Sequence, residues 1–184
     1  MSIHSIKTVA AGDWKYARPA VWLHWTLALL IAGLLGLGWY MMSIEHEPGS
    51  AWYFGIHKSF GILVFGLVLL RVLWRFTHRP APLPAQLPAW QVTLSRVTHW
   101  GLYLCMVLMP VLGFMGGIYS KSGVAFFSLP LFAGMVRSHA TAEFFFELHS
   151  ALAWLLVALI VVHAAAGLKH LLVDKDRVFQ RMWF

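Results

Sequence analysis

Four apolar segments, residues 21–42, 57–76, 98–119 and 146–173, constrain this chain more than any other feature. Each holds about the 20 residues that a helix needs to cross a hydrocarbon core of about 30 Å. The backbone of such a run must satisfy its own hydrogen bonds inside lipid, which a helix does and an isolated strand cannot. The runs therefore predict an all-α membrane protein, a four-transmembrane-helix bundle forming one domain over residues 1–184. Composition agrees: 60% of the residues are hydrophobic and only 11% are charged. A soluble domain of this size could not hide so much apolar surface. The first run begins after some twenty mixed residues with no small-residue cleavage site, so it is expected to be a retained helix. The connection "THRPAPLPAQLPAW" is too rich in proline to continue either neighbouring helix. Pro110 falls inside the third run, where neighbouring helices tolerate it.

Basic residues orient the bundle. Lys7, Lys15 and Arg18 precede the first run; Arg71, Arg75, Arg79 and Arg96 flank the second connection; Lys169, Lys175, Arg177 and Arg181 close the chain. Lys58, Lys121 and Arg137 are the cations of the opposite side, which also carries Glu45, Glu47, Glu143 and Glu147. The positive-inside rule then predicts that both termini are cytoplasmic. The net charge of +7 is read as this orientation signal, with no basic stripe that would suit nucleic acid. The partners predicted are membrane lipid and what dissolves in it.

Ionisable groups at bilayer depth point to function. His24 lies near the cytoplasmic start of the first run, His57 opens the second on the outer side, and His99 begins the third on the cytoplasmic side. In the fourth run His149 and His163 are 14 residues apart. That is nearly four helical turns, so both rings share one face, about 21 Å apart. One helix thus offers a ligand near each membrane surface. His57 matches the depth of His149, and His24 that of His163. Two histidines at one depth, on different helices, can clamp a planar metal macrocycle through its two axial positions.

Neighbouring residues fit a flat cofactor. Gly61 and Ala153 lie one turn from His57 and His149, Ala166 and Gly167 one turn beyond His163, and Gly38 is 14 residues from His24. Small residues at these places either leave room for a porphyrin edge or let helices approach closely. Arg71, 14 residues after His57, shares its face at the cytoplasmic level. It either grips a haem propionate, for which a guanidinium fork is well shaped, or snorkels to the surface. His99 and His170 belong to the same level, to bond a propionate, a quinone carbonyl or headgroups. His4, His46, His78 and His139 fall in tails or loops and are read as solvated. Zinc is disfavoured because no Cys, Asp or Glu ligand accompanies either pair at its depth, and H-E-x-x-H is absent. Cys105, the single cysteine, rules out an internal disulfide, a Cys-ligated cluster and covalent haem attachment.

These residues carry a resemblance. "AVWLHW", "IHKSFGILVFGLVLLRVLWR", "THWGLYLCMVLMPVLGFMGG" and "LHSALAWLLVALIVVHAAAGLKHLLVDKD" resemble the bacterial cytochrome b561 proteins over nearly the whole chain. The resemblance implies a di-haem cytochrome of the bacterial inner membrane with two haem b per chain. Its axial ligands would fall on His24 with His163 and on His57 with His149. It implies electron transfer between a donor and membrane quinone, and some members are described as superoxide oxidases that reduce ubiquinone. The alternative is a haem-bearing anchor subunit passing electrons between a protein redox partner and quinone. A haem-free transporter would be colourless. If superoxide is the donor, Lys58, Lys121 and Arg137 are the candidates to guide it. Quinone could meet Ser95, His99 or His170 inside, or Lys58, Ser59 or Tyr119 outside.

Overall fold

A computed structural model describes residues 14–78, 81, 82, 84, 86–132 and 138–184. It contains α1 (Arg18–Ser43), α2 (Ser50–Thr77), α3 (Ala89–Tyr119), a hairpin of β1 (Val124–Phe126) and β2 (Leu129–Phe132), and α4 (His139–Lys169). A π-helical turn, His170–Asp174, and a 3-10 turn, Phe179–Met182, finish the chain. The four α-helices are long and apolar enough to cross a membrane. Their outward surfaces need one: Leu29 is 74% exposed and Trp100 69%. Lys7, Arg79, Arg137 and His4 lie outside the described residues.

Each helix begins earlier than its apolar run. Gly49, in the left-handed conformation at φ 88°, turns the chain into α2, eight residues before His57. Pro88 precedes α3, and the Ser138 hydroxyl accepts the Thr141 N–H at the start of α4. Hydropathy marks where lipid begins, whereas caps and fixed φ values mark where the helix does. His57 and His99 therefore sit well inside their helices rather than at their starts. α4 stops at Lys169, short of residue 173, because the last turn widens into the π-helical turn.

α1 packs on α2 and α3 on α4. Leu27, Val64 and Val68 form one buried cluster, and Leu102, Cys105 and Leu156 another. Met106 and Ile31 pack against both. The tail side of the bundle is clasped by Arg181, which is only 5% exposed rather than a surface charge. Its Nε donates to the Trp14 carbonyl at 3.0 Å, a second N–H donates to the Ala81 carbonyl, and the guanidinium lies over Tyr16. Trp25 Nε1 donates to the Met182 carbonyl at 2.9 Å, closing the last turn onto α1.

The hairpin departs from the all-helical expectation. Its strands are too short to give an alternating pattern, and the stretch reads as a loop. Val124 seats against Gly117, where an added Cβ would lie 2.6 Å from the valine side chain. Lys58 Nζ donates to Ser122 Oγ at 2.8 Å and to the Gly123 carbonyl at 3.0 Å. Fully buried Ser59 donates to the Gly55 carbonyl and accepts the Phe127 N–H at 2.7 Å. That bond holds Phe127 at φ 51°, a conformation that a bulky residue rarely takes. Ser59→Ala is expected to leave that N–H without an acceptor and cost about 1–3 kcal/mol. The loss should appear as a lower unfolding midpoint and faster proteolysis near residue 127; unchanged values would show that the bond does not hold the hairpin.

Candidate functional site

Two levels of the bundle gather histidines. On the hairpin side, His57 of α2 faces His149 of α4, with ring centroids 6.2 Å apart and planes at 74°. His149 Nδ1 lies 2.9 Å from the Met109 carbonyl of α3. A carbonyl only accepts, so Nδ1 carries the hydrogen and Nε2 keeps its lone pair. A backbone carbonyl is one of the acceptors, with carboxylate and water, that metal-ligating histidines almost always have on their second nitrogen. His57 Nδ1 is buried without a hydrogen-bond partner. Two glycines hold the rings close. A Cβ at Gly38 would lie 3.4 Å from His57, and one at Gly113 would lie 3.1 Å from His149. Gly38 stands at the level that its 14-residue offset from His24 predicts. Gly113 and the Met109 carbonyl escaped sequence reasoning, since neither is a side-chain donor.

On the tail side, His24 of α1 faces His163 of α4 with centroids 6.0 Å apart and planes at 75°. A third ring, His99 of α3, lies 5.1 Å from His163. His99 Nδ1 is 2.6 Å from the Ser95 carbonyl. Arg71 turns inward: one N–H donates to the Ala20 carbonyl at 3.0 Å, and another lies 3.4 Å from His24 Nδ1.

The residues fit an axially clamped metal macrocycle. Imidazole binds a first-row ion such as zinc at about 2.0–2.1 Å, which sets the centroids of two opposed rings about 6.3 Å apart. The pairs at 6.0 and 6.2 Å match this spacing, whereas His99 and His163 are too close for it. On the hairpin side the orphan nitrogen of His57 and the tautomer of His149 add to the match. Between the levels lie Leu27, Ile31, Val64, Met106 and Leu156, a packed apolar layer that keeps water out.

His170 stands apart from these rings. Its Nδ1 lies 2.7 Å from Asp176 and 3.4 Å from Asp174. Lys169 Nζ already holds Asp174 at 2.5 Å. Lys175 and Arg177 beside it adopt positive φ. The pairing of His170 with Asp176 was missed in the sequence because it depends on the π-helical turn. Of the expected basic guides, Lys58 is tied to the hairpin, Lys121 is exposed, and Arg137 lies outside the described residues. Tyr119 stacks on Phe145. His46 and His139 are exposed, as expected, and His78 stacks on Trp74.

Known proteins share this sequence over almost its whole length. The chain is 32% identical to "Cytochrome b561 homolog 2" of Escherichia coli (strain K12), covering 91% of this chain and 90% of the relative. It is 28% identical to "Probable superoxide oxidase CybB" of Yersinia pestis, over 91% and 95%. With "Cytochrome b561 homolog 1" of Escherichia coli (strain K12) the identity is 24%, over 91% and 96%. Residues 15–184 match the family described as prokaryotic cytochrome b561. The chain therefore belongs to the prokaryotic cytochrome b561 family, a membership that implies haem b and electron transport.

Proposed function

We propose that this chain carries electrons across the bacterial inner membrane through two haem b, from a donor on the hairpin side to quinone. His57 and His149 hold one haem, and His24 and His163 the other. The observation that carries this reading is the pair of facing imidazole couples, at 6.2 and 6.0 Å, on two levels of one bundle. The basic residues of the tail side support a reading with both termini in the cytoplasm, by the positive-inside rule. We read residues 1–184 as one domain, since the site draws on all four helices.

Haem held by His57 with His149 and by His24 with His163 would supply one-electron redox chemistry. The chain's own residues do the rest. Met109 fixes the tautomer of His149, the apolar layer around Met106 and Leu156 excludes water, and the helices hold the imidazoles at fixed depth. Arg71, donor-only and pointing inward beside His24, is the group suited to a propionate. His170, backed by Asp176, and Ser95 are donors for a quinone carbonyl on the tail side. A reduced-minus-oxidised spectrum with pyridine-haem quantification of the purified protein is expected to give two b haems per chain. A colourless protein would end the proposal.

Superoxide is the donor we favour, following the name of the Yersinia pestis relative. Lys58 is a cation one residue from His57, and it pairs with no carboxylate among the described residues. Stopped-flow mixing with superoxide is expected to reduce haem, and the rate should fall as ionic strength rises. Absence of reduction would rule this donor out and leave the reading as an anchor subunit for a protein partner, which co-purification of a second redox subunit would support.

A further inference from the structure

We propose that His99 orients His163, accepting the ring N–H that the iron leaves free, as the Met109 carbonyl does for His149. The inference rests on reading His24 and His163 as an axial pair. A ligating histidine donates its second nitrogen to an acceptor, which fixes the ring and raises its basicity. α4 supplies one histidine to each level, and α3 runs beside both. On the hairpin side α3 answers with Met109. On the tail side, ten residues earlier, it presents His99.

The state of His99 suits it to accept. Its Nδ1 lies 2.6 Å from the Ser95 carbonyl, so Nδ1 bears the hydrogen and Nε2 keeps a lone pair. The spacings around His163 then divide by chemistry. Two imidazoles sharing one N–H···N of about 2.9 Å have centroids about 5.2 Å apart, whereas two that clamp a metal stand about 6.3 Å apart. His163 is 5.1 Å from His99 and 6.0 Å from His24. His99 thus packs edge-on against His163, close enough for a small turn of either ring to close a shared hydrogen bond, while His24 stands farther off. Arg71, another polar group at this level, has no lone pair to offer.

The test is His99→Ala in the purified, haem-loaded protein, with the His57–His149 haem as internal control. Removing the acceptor makes His163 a weaker donor to ferric iron. The midpoint potential of the tail-side haem should rise by about tenfold in the reduction equilibrium, about 59 mV for one electron. Its low-spin EPR g-values should shift with it, while the other haem keeps both. His99→Gln, which retains a carbonyl acceptor, should restore at least half of the change. An unchanged tail-side potential and spectrum in His99→Ala would overturn the proposal, as would equal shifts in Ala and Gln. If Ala loses that haem altogether, retention in Gln supports the proposal and loss in Gln overturns it. A wild-type chain without haem would instead overturn the functional reading on which this one rests.

Discussion

His149→Ala and His163→Ala are each expected to lower the haem content from two per chain to one, and to remove different haems. Alanine offers no lone pair, so each substitution leaves one axial imidazole at its level and a void where the ring stood. No thioether link can hold the haem in its place, because Cys105, the single cysteine, lies in the apolar layer. The two levels are about 21 Å apart along α4. Substitutions at such a separation, with no shared partner, act independently. A potentiometric titration of each variant should keep a single wave, and the waves kept should be those missing from the other. His57→Ala should reproduce the pattern of His149→Ala, and His24→Ala that of His163→Ala. If both α4 variants lose the same wave, the pairing by depth is wrong. If either loses both, the haems do not occupy separate levels.

The meeting of these rings was legible in the sequence because helical periodicity is a strict ruler. Fourteen residues between His149 and His163, between His57 and Arg71, and between His24 and Gly38 each mean one face and a fixed rise. Long apolar helices cannot deviate far from it. The structure duly brings His57 to His149, His24 to His163, and Gly38 to His57. What the ruler misses is the contribution of a neighbouring helix. The Met109 carbonyl is invisible as a residue type, and Gly113 is one of 15 glycines until a ring is placed beside it. His99 could be given a depth but not a neighbour. The contact between His170 and Asp176 needs a π-helical turn that no periodicity announces. The hairpin was hidden for another reason. Its fold is set by Lys58 and Ser59, more than 60 residues earlier in the chain, rather than by its own seven strand residues.

Gly113→Val is expected to abolish the hairpin-side haem and spare the other. In a regular helix the Gly113 N–H bonds the Met109 carbonyl, whose second lone pair takes His149 Nδ1. The His149 ring therefore lies over the turn between residues 109 and 113. A Cβ at 113 would stand 3.1 Å from both Nδ1 and Cε1 of that ring. Alanine asks the ring to yield a few tenths of an ångström, and the expected result is a partly occupied site. Valine adds two methyl groups at the same place, and its stiff χ1 cannot turn both away in a helix. The ring must then leave either the Met109 carbonyl or the position facing His57. Losing such a supporting contact typically costs 10–100-fold in affinity for the metal group, so occupancy should drop by at least about tenfold. Gly33→Val is the control for added bulk in a membrane helix, since nothing lies within 4 Å of a Cβ there. It should bind two haems. Equal loss of both haems in Gly113→Val would mean that the glycine serves helix packing in general. Full retention of both would mean that His149 does not depend on its place against α3.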